Sequence, residues 1–132
     1  MKPESHDLRH LQQRVVEFSE ARDWGKFHDP KNLSMAVAVE AGELMDHFRW
    51  VSSDIAMGVL DDPASKSGVQ DEVADVLILL LEFAHVTGID LAEAVDMKLR
   101  KNEARYPVHL AKGVATKHDR LVPRRDGQSP NE

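Results

Sequence analysis

The sequence predicts an all-α protein, a bundle of four main helices completed by association with further copies. Three observations predict it. Apolar residues recur at helical spacing almost throughout, and no run alternates apolar and polar residues as a half-buried strand would. Residues that start and stop helices punctuate those stretches, notably Asp29-Pro30, Gly88 and Asp90. The stretch from Val76 onward is apolar on nearly every side, more than one small bundle can hide.

The elements follow in order. The first helix spans roughly Ser5 to Trp24, with Leu8, Leu11, Val15 and Phe18 along one side, Ser5 as its cap and Gly25 as its breaker. The second starts at Asp29, a good N-cap, with Pro30 in the first helical position, and runs to about Trp50. A connection from Asp54 to Ser67 is punctuated by Gly58, Asp61, Asp62 and Pro63, with one short helix near Ile55 to Leu60. The third helix spans roughly Ser67 to Thr87 and stops at Gly88. The fourth starts at Asp90, which forms a variant capping box with Glu93, and ends before Pro107. Residues 1–111 are therefore expected to form one all-α domain. Residues 112–132 form a polar tail, poorly ordered beyond about Leu121.

Composition narrows the function. Hydrophobic residues at 42% and charged residues at 30% are ordinary for a soluble globular protein. A formal net charge of −6 argues against binding a nucleic acid polymer through its phosphates. It leaves open a nucleotide whose charge a metal neutralises. The chain has no cysteine, which excludes disulfides and thiolate metal sites and fits a reducing cytoplasm. No apolar run is long enough for a signal core or a membrane span.

Chemistry concentrates in two acid pairs. Glu40 and Glu43 lie in AVAVEAGELMDHF, and Glu72 and Asp75 in QDEVADVLILLLEF. A spacing of three puts each pair on one helical face. Among 23 acids, chance alone would place roughly four such pairs, so spacing by itself is weak. The flanking apolar residues turn both pairs toward a core. Packed antiparallel, the two helices would bring four carboxylates together. One like-charge pair ~4 Å apart costs about 4 kcal/mol at an effective dielectric near 20. Divalent cations would relieve that repulsion, and oxygen-only ligands suit Mg²⁺ or Mn²⁺. Acids that are simply solvated, or paired with Lys and Arg, fit the same spacing. On the fourth helix Lys98, Asn102 and Arg105 form one polar stripe that can clamp phosphates, or simply face solvent. Trp24, Phe27 and His28 cluster before the second helix and Trp50 ends it. Such rings stack on a nucleobase or cap a core.

Together, the segments FSEARDWGKFHDPKNL, VAVEAGELMDHFRW, DEVADVLILL and KLRKNEARYPVHL resemble the all-α nucleotide pyrophosphohydrolases of the MazG-like superfamily, closest to its dCTP pyrophosphatase branch. They occur in the family's order and span about Phe18 to Leu110. The resemblance implies a MazG-like bundle that hydrolyses a nucleoside triphosphate, dCTP or a modified dCTP, to the monophosphate and pyrophosphate. The attack would come from metal-activated water at the α-phosphate. The resemblance implies Mg²⁺, with Mn²⁺ as a substitute, held by Glu40, Glu43, Glu72 and Asp75. Glu43, then Glu40, is the candidate for the water's proton. Phosphate contacts fall to Lys98 and Asn102 with Arg105 and Tyr106, and the base pocket to Trp24, His28 and Trp50. The branch implies a homodimer or homotetramer and a house-cleaning role in nucleotide pools. Asp46 matches an acidic position that orients metal-bound water. Leu79, one turn from Asp75, stands where a tyrosine is expected in dCTP-preferring relatives, which puts the choice of base in question.

Rival readings are a redox carboxylate bundle, a non-catalytic interaction or regulatory module, and a sister enzyme for another triphosphate or phosphoribosyl-ATP. The first needs two Glu-x-x-His motifs, and this chain offers only Glu82-Phe-Ala-His85. The intact acid set with Lys98 and Asn102 opposes the second, and the tryptophans oppose phosphoribosyl-ATP.

Overall fold

A computed structural model describes residues 7–123. The described residues form helices and turns with no strand. The long helices are α1 (Leu8–Glu20), α2 (Pro30–Asp46), α3 (Pro63–Thr87) and α4 (Leu91–Arg105), followed by the single turn α5 (Val108–Ala111). Short 3₁₀ segments lie at Gly25–Phe27, Ala56–Asp61 and His118–Arg120. No helix among the described residues is long and apolar enough to cross a membrane. The chain divides into two compact units at Ile89/Asp90.

The first unit is built on α3. Asp62 caps it, accepting from the Ser65 amide at 2.8 Å and the Ser65 hydroxyl at 2.7 Å, with Pro63 in the first turn. This start precedes the expected Ser67. Asp62-Pro63 is the same cap-plus-proline signal as Asp29-Pro30, here acting as a helix start rather than loop punctuation. Gly88 ends α3 at φ 69°, the left-handed conformation that glycine adopts without strain.

α2 begins where expected: Asp29 accepts from the Asn32 amide at 2.8 Å. It packs antiparallel to α3. His47 at its C-terminal end meets Gly68 near the start of α3, where a Cβ would sit 2.9 Å from the imidazole, while Glu40 lies beside Glu72. The α-helix stops at Asp46, and tighter bonds carry the chain through Trp50, from the Phe48 amide to Met45 and from the Val51 amide to Phe48.

α1 is capped by Asp7, which accepts from the His10 amide at 2.9 Å. The expected cap, Ser5, lies outside the described residues. α1 ends at Glu20 rather than Trp24, because the chain turns back on itself. The Arg22 and Trp24 amides both donate to the Ser19 carbonyl, and Asp23 takes a left-handed φ of 53°. Gln12 Nε2 ties α1 to α3 by donating to the Leu81 carbonyl at 3.0 Å. The buried core of this unit is small: Leu33, Leu81 and Ala84. Val73, Leu77, Ile78, Leu80 and Val86 of α3 are exposed on the single chain, as are Met35 and Val39 of α2.

In the second unit, Asp90 caps α4 by accepting from the Glu93 amide at 3.0 Å. The helix ends at Arg105, two residues before Pro107. Pro107 then starts α5, which the sequence did not announce. Lys98, Asn102 and Arg105 share one side of α4 by spacing, with Asn102 half-buried. Tyr106 follows the helix and meets His118 edge-on at 5.7 Å. Residues 124–132, the last part of the expected tail, lie outside the described residues.

Candidate metal and nucleotide site

Antiparallel packing of α2 on α3 brings Glu40, Glu43 and Glu72 together. One carboxylate oxygen of each lies within 4.8 Å of the others. Glu40 and Glu72 are half-buried, and Glu43 is exposed. The inner oxygens, Glu40 Oε2 and Glu72 Oε2, are buried with no hydrogen-bond partner among the described residues. Ionised carboxylates can only accept, so two of them facing each other satisfy nothing. A proton on one of them, or a cation held by both, would satisfy them.

The charge balance of Glu40 states the same conflict. Its pKa is pushed up from 4.5 to about 7. The largest cause is hydrogen bonding to Glu43, followed by desolvation and the Glu43 charge, then Glu72 and the charge of Asp75. Asp75 thus lies near enough to act on Glu40, although it is not one of the three converging acids. Asp46, one turn beyond Glu43, is engaged by Arg49 at 3.0 Å. An oxygen-only, multiply anionic set with two orphaned inner oxygens fits a hard divalent cation such as Mg²⁺ or Mn²⁺.

A cleft of about 400 Å³ opens between α1, the turn after it and α3. Its apolar walls include Leu11, Val15, Ile78 and Leu79. Phe18 and Trp24 form its aromatic edge, their rings edge-to-face at 5.6 Å. The Arg22 guanidinium sits 3.6 Å over the Phe18 ring. His28, Ser19 and Glu82 form the polar end, joined by Arg14. Along α3, Glu72, Asp75, Leu79 and Glu82 recur at intervals of three, four and three, so acids and cleft lie on one helical face.

The structure brings together Glu40, Glu43 and Glu72, and separately Trp24, His28 and Leu79. Trp50 does not line this cleft. It is 84% exposed beyond α2, with the Arg49 guanidinium 4.5 Å over its ring. Lys98, Asn102, Arg105 and Tyr106 belong to the second unit. Sequence reasoning passed over Ser19 and Glu82. Glu82 entered only as half of a Glu-x-x-His pair, yet it is buried beside His28 while His85 is exposed. The signal was there: one acid inside the apolar run VLILLLEFAHV, two turns beyond Asp75.

Comparisons with known proteins give the family. Residues 35–121 match the model of the MazG-like family. Mouse dCTP pyrophosphatase 1 is 40% identical over 119 residues, covering 90% of this chain and 68% of the mouse protein. Its human counterpart is 37% identical over the same length, with the same coverage. Among solved structures, a pyrophosphatase from Archaeoglobus fulgidus superposes with a TM-score of 0.72 at 40% identity, covering 81% of this chain and 98% of that one.

Proposed function

The chain belongs to the MazG-like family, and from that premise we propose that it hydrolyses dCTP or a modified dCTP to the monophosphate and pyrophosphate, using Mg²⁺. At the coarser level of its relatives, it is a nucleoside triphosphate pyrophosphohydrolase. The observation that supports the reading best is the carboxylate trio where α2 meets α3, two of its oxygens unsatisfied, on the same face of α3 as an aromatic-edged cleft.

The residues divide the work. Glu40, Glu43 and Glu72, with Asp75, would hold the cation. Bound there, Mg²⁺ supplies charge neutralisation for the triphosphate and lowers the pKa of water. Glu43, the exposed member of the trio, can reach solvent and take the attacking water's proton, with Glu40 as second candidate. The raised pKa of Glu40, about 7, favours its protonated form below neutral pH when no cation is present. Trp24 and His28 line the cleft for the base. Trp50 is assigned to the base by its motif alone, and Lys98, Asn102, Arg105 and Tyr106 to the phosphates by motif and chemistry. Residues 1–111 make up the catalytic domain and 112–132 its tail. The exposed apolar face of α2 and α3 supports a homodimer or homotetramer. House-cleaning of nucleotide pools in the cytoplasm suits this chemistry.

The deciding experiment offers each common nucleoside triphosphate with Mg²⁺ and identifies the products. Monophosphate plus pyrophosphate, fastest from a deoxycytidine triphosphate, is expected. Release of inorganic phosphate would overturn the cleavage position, and no turnover with Mg²⁺ or Mn²⁺ would overturn the activity. Glu43→Gln and Asp75→Asn should each lower kcat/KM at least about a hundredfold, comparable to losing a group that orients or holds the metal, while circular dichroism stays unchanged. Near-normal rates in both would remove these residues from the site.

A further inference from the structure

The reaction above leaves one buried acid without a task. Glu82 and Ser19 are each only 5% exposed. Ser19 Oγ donates to Glu82 Oε2 at 3.4 Å, and Glu82 Oε1 lies 3.0 Å from His28 Nδ1. Three elements thus meet at one polar knot: α1, the turn before α2, and α3. Stability alone does not explain it, because well-packed apolar residues generally serve a core as well as a buried ionic group does. Its place in the cleft does explain it, since His28, Ser19 and Glu82 all line that wall.

We propose that Glu82 is a positioning residue for base recognition: it holds His28 with the proton on Nδ1, so that Nε2 presents a lone pair to the cleft and selects bases bearing an amino group. The inference rests on the pyrophosphohydrolase reading and names what its cleft discriminates. The Ser19 hydroxyl already donates to the Glu82 carboxylate, and an ionised carboxylate only accepts. With Glu82 as a carboxylate, Nδ1 is the donor of this pair. A neutral imidazole protonated on Nδ1 carries its lone pair on Nε2, the ring nitrogen that Glu82 does not engage. Outside the Ser19–His28–Glu82 knot the walls cannot substitute. Leu11, Val15, Ile78 and Leu79 offer no hydrogen bond, and Arg14 and Trp24 offer only donors. An amino group finds its acceptor at the His28–Glu82 end. A keto oxygen aimed at Nε2 would set lone pair against lone pair. A site built for a hydrogen-bonding group rejects an analogue that leaves it unpaired far better than an apolar pocket rejects a change in shape. Leu79 removes one source of polar recognition, and Glu82 supplies another.

The test uses dCTP and dUTP, which differ at position 4, amino against oxo, and at N3, a lone pair against an N–H. Wild type should favour dCTP in kcat/KM. Glu82→Leu should lower that ratio about tenfold or more, mainly through KM for dCTP, with kcat at saturation retained. Glu82→Gln keeps an acceptor for Nδ1 and should hold the ratio within about threefold of wild type. An unchanged ratio in a folded Glu82→Leu variant overturns the proposal, as does a Glu82→Gln variant that loses as much as Glu82→Leu. If Glu82→Leu does not fold, ¹⁵N spectra of the wild-type histidine rings decide. Protonated Nδ1 with unprotonated Nε2 on His28 is expected, and the opposite tautomer overturns the proposal. Equal turnover of dCTP and dUTP by wild type sinks this inference and leaves the pyrophosphohydrolase reading standing. No turnover of either overturns the reading on which it rests.

Discussion

Glu40 is the residue on which the electrostatics of the site turn. Its folded pKa of about 7 lies above the ordinary 4.5, chiefly through Glu43. The folded chain therefore binds this proton more tightly than the unfolded chain does. The stability that this provides is complete below about pH 4.5 and is lost as pH rises through about 7. A divalent cation must displace the same proton, so its binding strengthens over the same window. Without metal, the melting temperature of wild type should fall between about pH 5 and pH 8 relative to Glu40→Gln, and Mg²⁺ should restore more of it at the higher pH. Scanning fluorimetry across pH, with and without Mg²⁺, checks this. Parallel pH profiles for the two proteins would show that no shared proton exists. The two glutamate pairs were legible as residues. That Glu40 and Glu72 lose their hydrogen-bond partners was not, because orphaning is a property of two helices in contact, not of either spacing.

At the scale of elements, caps decide where the site's helices begin and so which side chains face each other. Asp29 caps α2 three turns before Glu40, and Asp62 caps α3 before Glu72. Asp29→Ala should destabilise the protein by about 1 kcal/mol, the usual worth of an N-cap side chain. Urea unfolding followed by circular dichroism measures it, and a loss below a few tenths of a kcal/mol would mean the Asn32 amide finds another acceptor. Asp29 and Gly88 were legible because cap chemistry is local: one side chain satisfies amides within three residues, and one glycine tolerates a positive φ. The true start of α3 and the early end of α1 were not. Asp62-Pro63 reads equally as a turn, and the chain reverses at Asp23 through Arg22 and Trp24 amides that donate to Ser19, which no propensity encodes.

At the scale of the molecule, the buried core of Leu33, Leu81 and Ala84 is small beside the apolar surface left open on α2 and α3. Val73, Leu77 and Leu80 form one stripe by spacing, and all are exposed in the single chain. We propose this stripe as an association surface. Sedimentation should therefore find a dimer or tetramer, and Val73→Glu with Leu77→Lys should shift it toward monomer. A wild-type monomer at micromolar concentration would remove the oligomer from the account. The sequence anticipated the surplus of apolar surface from the all-round apolarity of the third helix, because composition alone reports how much surface must be hidden.

By itself, then, the sequence determined the all-α class, the helices and most of their caps, the two acid pairs and the likeness to pyrophosphohydrolases. These are short-range matters of period, capping and motif, which a linear chain displays. The tertiary structure alone decided that three carboxylates meet within 4.8 Å, that Trp50 stands apart from the cleft, and that Ser19, His28 and Glu82 join in one polar knot. Those partners lie up to 63 residues apart in the chain. Which distant side chains share a cavity depends on how helices pack, and packing is settled by the summed fit of many weak contacts rather than by any local signal.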